Sequence, residues 1–412
     1  MRGLRRNAEI LMYDGTIKKA GEIIIGDILM GDDSTERIVQ DVFRSREVFY
    51  EVEFTKNVDS YFAPIDSILC MKNNTSPKLV TTKEKYPRYR VYYFENIITQ
   101  KDGYILNQLK GKKPSYFFRY GKEEQFKKAN EVLYIRFKEY HEGFPLHELE
   151  IVDCMIKSKS FYEANVLYTT GVEFNNPLKQ EISPYLLGSW LGDGSSKDPS
   201  ITNIDPELIQ FLYDEAERMG LEIYRGHDTE HGRGSMHYRL KSNGKVGANK
   251  FVNFLKLYHL WGNKHIPYHY KVNTRKNRLL VLAGLIDTDG HYNIECNYYT
   301  IVQKNELLSN DIVFLIRSLG YWCHIKPYVG GCYYKEKWKP GIYYSMSFGG
   351  ENLTDIPVLL PRKMAIPKTK IRNNPMHYGI KTITKYDKRT CYGFELSGNH
   401  RFILADFKVV HD

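Results

Sequence analysis

The chain has 412 residues, 42% of them hydrophobic and 26% charged, which is enough for two or three domains with real cores. Lys and Arg outnumber Asp and Glu by 59 to 49, a net charge of +10, and Tyr is abundant at 33. No apolar run approaches the roughly 20 residues of a membrane helix, and the six cysteines form neither a CxxC pair nor a zinc-finger spacing, so a helical membrane protein, a zinc finger and a disulfide scaffold are excluded.

Basic charge with many aromatics suits a polyanion partner, because Lys and Arg neutralise phosphates and displace counterions. The opening MRGLRRNAEILMYDG lacks the apolar stretch of a signal peptide. Reduced thiols and an intracellular location, nucleus or cytoplasm, are the expectation.

In chain order, residues 8–56 alternate β-rich runs with the turn signals Asp14-Gly15 and Gly31-Asp32-Asp33, which predicts a small twisted all-β unit. Residues 82–140 keep β-rich pieces but become basic and aromatic, as in TKEKYPRYRVYYF and KGKKPSYFFRYGKEEQFKK. Residues 146–178 read as the close of this first domain. From about 180 the period turns helical, and 372–412 return to β patterning. The expected fold is therefore mixed. A β domain over 1–178 plus 372–412 is interrupted by an α+β domain over 179–371.

The middle repeats itself. LLGSWLGDG (186–194) and LAGLIDTDG (282–290) align without a gap. Each is followed by a polar β-like stretch, then by a helix ending in glycine and a strand: PELIQFLYDEAERMGLEIY in one case, NELLSNDIVFLIRSLGYWCHI in the other. Two motifs with two matching followers argue for duplication, with repeats at about 183–275 and 276–371.

Leu282, Leu285 and Ile286 make an apolar helical face, while Gly188, Gly192 and Gly284 are small enough for two helices to approach closely. Packed that way, both C-terminal ends emerge together and bring Asp193 beside Asp289. Gly194 and Gly290 are expected to turn the chain sharply into strands. Carboxylates at a helix C-terminus face the unfavourable end of the dipole and repel each other. The arrangement makes sense with divalent cations: hard oxygen ligands suit Mg²⁺, which bridges phosphate oxygens and assists phosphodiester hydrolysis.

These paired stretches resemble the LAGLIDADG motifs of homing endonucleases in their single-chain, two-motif form, the first being a degenerate version common in intein-borne members. The resemblance implies two αββαββα repeats whose saddle-shaped sheets sit on duplex DNA. It also implies Mg²⁺-dependent double-strand cleavage, with Mn²⁺ substituting, at a long asymmetric target, by a monomer. On this resemblance Asp193 and Asp289 are the catalytic, metal-binding acids, with Gly192 and Thr288 beside the metal. In the branch holding the yeast intein-borne and mating-type endonucleases, a lysine precedes Ile-Pro upstream of the second motif. Here GNKHIPYHY supplies Lys264, and LLPRKMAIP supplies Lys363 late in the second repeat. Such lysines stabilise developing charge or perturb the attacking water. Gln303, on the strand after the second motif, matches a water- or metal-positioning residue of the family. Around Thr202 and Asn203 the first repeat offers no clear match, so unequal half-sites are expected.

The flanking β segments resemble an intein (Hint) domain. Splicing requires a nucleophile at the first intein residue, and the aligned residue is Gly3. Thr75 in CMKNNTSPKLV lacks its nearby His. His400 and His411 occupy family positions, but Asp412 stands where an amide-bearing Asn is needed. The expectation is an intein-like domain that does not splice. By resemblance, the 82–140 insertion adds DNA contacts through Lys83, Lys85, Arg88, Arg90, Lys110, Lys112, Lys113 and Arg119. Two other readings stay open: a protein-splicing element, or a splice-dead form of one, and a nucleic-acid-binding protein or maturase that does not cleave.

Overall fold

The computed structural model describes residues 2–55, 59–73, 75–82, 85, 88–101, 104–112, 118–119, 123–142, 146–174, 177–227, 236–242, 244, 249–334, 337–367 and 378–412. The chain divides into two compact units, Met1–Thr169 with Arg372–Asp412, and Thr170–Ile371. Sequence patterning drew that line at 178/179.

The first unit is built on two 19-residue strands, Glu36–Phe54 and Tyr378–Leu396, paired antiparallel along most of their length. Runs such as VFYEVEF and TCYGFEL suit strands because β-branched and aromatic side chains pack on a pleated surface. Register shifts at Ile380/Thr382, Lys385/Lys388 and Glu395/Leu396 mark bulges that bend the ribbon. Around it, among the described residues, a ten-stranded sheet forms, in the order Arg401–Ile403, Val409–His411, Ile68–Asn73, Asn165–Leu167, then the two long strands and Ile28–Met30, with three strands branching off this path. Leu4, Ile10, Leu29, Val52, Leu69, Phe394, Phe402 and Val410 lie in its core.

The 82–140 region carries a separate small sheet, Lys78–Thr81, Arg88–Lys101, Tyr104–Lys112 and Phe118–Arg119, and a 20-residue helix, Glu123–Glu142. That helix corrects the β reading of the segment. Ala129 is buried with Val91 and Tyr93, and Leu79, Tyr89, Val132 and Leu133 pack against them. The apolar residues follow a helical spacing from Phe126 that the aromatic content masks.

In the second unit, Pro184–Asp193 and Arg275–Asp289 are the two motif helices. Both are buried nearly all round, as expected for helices in the middle of a core. The first is followed by a sheet ordered Ser200–Asn203, Met236–Lys241, Glu222–His227, and by helices Pro206–Met219 and Lys250–Leu257. The second is followed by a sheet ordered Gly290–Asn293, Tyr298–Gln303, Lys337–Gly349, Trp322–Tyr334, and by helix Glu306–Ser318. One hydrophobic core contains both motif helices and the inner faces of both sheets. Among the described residues no helix is long and apolar enough to cross a membrane.

Candidate active site

The motif helices meet backbone to backbone. A Cβ on Gly188 would lie 2.1 Å from the Val281 carbonyl oxygen and 3.1 Å from the Leu285 nitrogen. A Cβ on Gly284 would lie 2.3 Å from the Tyr185 carbonyl oxygen and 2.7 Å from the Ser189 nitrogen. The contacts are reciprocal, since residues three before and one after each glycine face the other. Farther along, a Cβ on Gly192 would meet Thr288 Oγ1 at 2.0 Å and Asp289 Oδ2 at 3.4 Å. The crossing therefore delivers both C-terminal ends, and both carboxylates, to one place.

Gly194 and Gly290 do end the helices, but with φ of −75° and −82°, open to any residue. The sequence expectation of glycine for a special turn is corrected: the requirement is room. A Cβ on Gly194 would strike the Trp190 carbonyl oxygen at 2.3 Å, and one on Gly290 the Ile286 Cα at 2.6 Å.

Each carboxylate is held by an amide from the next strand. Asn203 Nδ2 donates to Asp193 Oδ2 at 2.9 Å, and Gln303 Nε2 donates to Asp289 Oδ2 at 2.5 Å. The register explains the match: Gly194 bridges Ile201 and Gly290 pairs with Ile301, so each amide stands two residues beyond. The expectation of unequal half-sites at this position is corrected. Ile201-Thr202-Asn203 parallels Ile301-Val302-Gln303, but the connection after the second motif is longer, and this hid the alignment.

Both lysines sit on the helix ends. Lys264 Nζ donates to the carbonyl oxygens of Leu191, Gly192 and Gly194 at 2.9, 3.1 and 2.7 Å. Lys363 Nζ donates to those of Ile286, Asp287 and Thr288 at 2.7, 2.9 and 3.2 Å. The last carbonyls of a helix lack partners within it and carry the negative end of the dipole, so an ammonium satisfies both needs. Gly192 and Thr288, expected beside a metal, thus each give a carbonyl to a lysine. Asp287, the other acid of the second motif, faces away. It accepts from the Tyr185 hydroxyl at 2.6 Å and from the Leu359 and Leu360 N–H groups at 2.6 and 3.3 Å, which fixes the segment leading to Lys363.

Burial, and then the neighbouring Asp289, push the Asp193 carboxyl up to about 6. Burial also raises Asp289, opposed by the Gln303 hydrogen bond. Burial drives the Lys264 ammonium down to about 8 against the pull of Asp289 and Asp193, and lowers Lys363 as well. A carboxyl whose folded value lies above its unfolded value stabilises the fold at low pH, and that contribution is lost as pH rises through about 6. Metal-free protein is therefore expected to melt a few degrees lower at pH 7.5 than at pH 5. Thermal denaturation in a chelator checks this, and Asp193→Asn should flatten the slope.

Two desolvated carboxylates that resist ionising together fit a divalent cation. Among the described residues no group of three or more His, Cys, Asp or Glu side chains converges as a metal cage. Mg²⁺ is commonly held by one or two carboxylates, with waters and substrate phosphates completing the shell.

In the first unit, Gly3 lies against the Tyr392 carbonyl oxygen, which a Cβ would meet at 2.4 Å. The Arg2 side chain contacts Asp66 and Glu150, while Thr75 donates its N–H to Asn73. Asp412 Oδ2 accepts from the Leu396 N–H at 2.8 Å and lies 3.0 Å from His400 Nδ1, and the rings of His400 and His411 stack 5.8 Å apart. Of the basic residues expected to contact DNA, Lys85, Arg88 and Lys110 are exposed and Arg90 is half-buried. Lys112 and Arg119 lie on strands of the small sheet. Lys83 and Lys113 lie outside the described residues. Cys70, Cys154, Cys296, Cys323 and Cys391 are free thiols.

A β domain with a paired-acid α+β unit set into it defines a class of protein. The Hom_end-associated Hint family model matches residues 4–411, and the chain belongs to that family. It is 36% identical over 142 residues to the replicative DNA helicase DnaB of Mycobacterium intracellulare, covering 34% of this chain and 20% of that protein. It is 30% identical over 157 residues to the homothallic switching endonuclease of Saccharomyces cerevisiae, covering 33% of this chain and 27% of that protein. The chain thus matches under a third of either relative's length. Among solved structures it resembles the homing endonuclease I-DmoI in complex with DNA and Mn (TM-score 0.26, 20% identity, 41% of this chain and 89% of that one). It also resembles the gp41-1 intein (TM-score 0.16, 12% identity, 27% of this chain and 89% of that one).

Proposed function

We propose that this chain is a site-specific DNA endonuclease of the homing type that hydrolyses both strands of a long, asymmetric duplex target. The observation that carries the reading is the meeting of Asp193 and Asp289 at the ends of two crossing helices, each acid held by an amide and each helix end capped by a lysine. Unit two is read as two αββαββα copies about a pseudo-two-fold axis, one for each strand. The reciprocal glycine contacts and the matched amides support that reading.

Mg²⁺, or Mn²⁺ in its place, would be held by Asp193 and Asp289 and would supply Lewis-acid stabilisation at the scissile phosphate. Asn203 and Gln303 orient one oxygen of each acid, and among the described residues the other accepts no hydrogen bond. Lys264 and Lys363 bring positive charge beside a site where negative charge develops, in surroundings dry enough to strengthen it. Side chains on the two sheets would read base edges, while the exposed basic residues of the 82–140 region would bind phosphates and extend the footprint.

The same proposal takes the intein-like unit as inactive in splicing, supported by Gly3 packed against the Tyr392 carbonyl and by a carboxylate at Asp412. It takes the protein as a monomer acting on genomic DNA inside the cell. The test is to incubate purified protein and Mg²⁺ with a complex genomic DNA pool and sequence all new ends, with Asp193→Asn/Asp289→Asn as control. Recurrent ends at one long site, absent in the control, are the expected result. Salt-sensitive DNA binding without specific ends would overturn it in favour of a non-cleaving binder.

A further inference from the structure

The residues two beyond Asn203 and Gln303 make a second set of matched contacts. Asn305 begins helix Glu306–Ser318, and its Oδ1 accepts the Leu308 N–H at 3.2 Å as an N-cap. Its Nδ2 crosses to the first half and donates to the backbone carbonyl of Lys264 at 2.9 Å. Asp205 begins helix Pro206–Met219, yet its side chain does not cap that helix. Its Oδ2 instead accepts from Arg362, the residue before Lys363, at 2.7 Å. Asp205 is also tied to the acid on its own side, because its N–H donates to Asn203 Oδ1 at 2.8 Å.

We infer that Asn305 and Asp205 are positioning residues, each holding the lysine loop that belongs to the other half. The connections close a ring. Asp193 is held by Asn203, and Asp205 just beyond it holds the loop of Lys363, which caps the helix ending in Asp289. Asp289 is held by Gln303, and Asn305 just beyond it holds the loop of Lys264, which caps the helix ending in Asp193. Movement of either strand therefore disturbs the lysine on the opposite side, so the two half-sites keep step. The residue types follow from the contacts. Position 305 must accept for the cap and donate to a carbonyl, which an amide does and a carboxylate cannot. Position 205 faces a guanidinium, for which a carboxylate is the stronger partner.

The two loops have further anchors. Asp311 accepts from the Ile266 N–H at 2.9 Å and from Lys271 at 2.6 Å, and Asp287 holds Leu359 and Leu360. Losing one brace should thus loosen a lysine without unfolding the unit. Asn305→Asp is the sharpest variant, because it keeps the N-cap and the shape, removes the donor and sets a carboxylate oxygen against the Lys264 carbonyl.

The test measures lysine reactivity and cutting separately. Reductive methylation of the whole protein, followed by mass spectrometry, should show Lys264 labelled roughly fivefold to tenfold faster in Asn305→Asp, the weight of one hydrogen bond, with Lys363 unchanged. Asp205→Asn should speed Lys363 by a smaller factor, about threefold for a partly exposed pair, with Lys264 unchanged. Melting temperatures should fall by no more than about 4 °C, the same weight spread over the unit.

The cutting arm rests on the endonuclease reading. On target DNA labelled on each strand, Asn305→Asp should slow the same strand that Lys264→Met slows, and Asp205→Asn the strand that Lys363→Met slows. Unchanged labelling of both lysines overturns the braces whether or not DNA is cut. Labelling that shifts in the variants, while the parent protein cuts nothing, supports the braces and removes the endonuclease reading. Shifted labelling with equal slowing of both strands overturns the pairing of brace with half-site.

Discussion

Asp289→Asn is expected to slow cleavage at least roughly a thousandfold while leaving duplex binding within about twofold. The change is isosteric, and Gln303 can still reach the remaining amide oxygen, so the local shape survives. What goes is the charge that holds a divalent cation, at a site with few other anionic groups. Asp193→Asn should match it, and the two together should be no worse than either, because both acids serve one ion-binding place. Binding persists because it is spread over the basic surface and does not need these two acids. Gel shifts in Ca²⁺ beside cleavage assays in Mg²⁺ measure both quantities. A parental cleavage rate in Asp289→Asn would remove Asp289 from the chemistry.

The second large effect is on the fold. Gly284→Val should lower the melting temperature by about 10 °C or more, and Gly188→Val should do the same. On an exposed helix, replacing glycine with alanine gains about 1 kcal/mol in helix propensity. Here the sign reverses. The atoms that a Cβ would strike, at 2.1 and 2.3 Å, are backbone carbonyl oxygens of the opposite helix, and no rotamer change moves them aside. The helices must separate, which strips contacts from Leu186, Leu282 and Leu285 in the middle of the core. Even Gly284→Ala is expected to destabilise. An alanine variant as stable as the parent would mean that the helices are not in backbone contact.

How much could be read in advance depends on how local the cause is. The acids and their helices were legible because an apolar helical period stopping at Asp-Gly, twice, is a local signal. Lys264 was legible through Ile266-Pro267 close after it, whereas at Lys363 the Ile366-Pro367 pair stands one residue farther on, which made the match less direct. Asn203 was obscured by a connection of different length, although its Ile-x-Asn pattern parallels Ile-x-Gln at 301–303. The 123–142 helix was missed because aromatic and β-branched residues weigh toward strand, while its Ala129 stripe packs against Val91 and Tyr93 of a sheet distant in sequence. Asn305 and Asp205 read locally only as the starts of helices, and nothing local marks their contacts with Lys264 and Arg362. Their partners lie 41 and 157 residues away, and only the fold brings them together.

The two nine-residue motifs can also be compared with each other, as two drafts of one text. They share four letters: Leu186 with Leu282, Gly188 with Gly284, Asp193 with Asp289, and Gly194 with Gly290. Both glycine pairs stand where a methyl group would strike backbone, and the aspartate pair stands where the helices converge on one point. The positions that differ, such as Ser189 against Leu285 and Trp190 against Ile286, each face a neighbourhood of their own. The shared glycines and aspartates thus trace the outline of the helix ends and of the crossing itself.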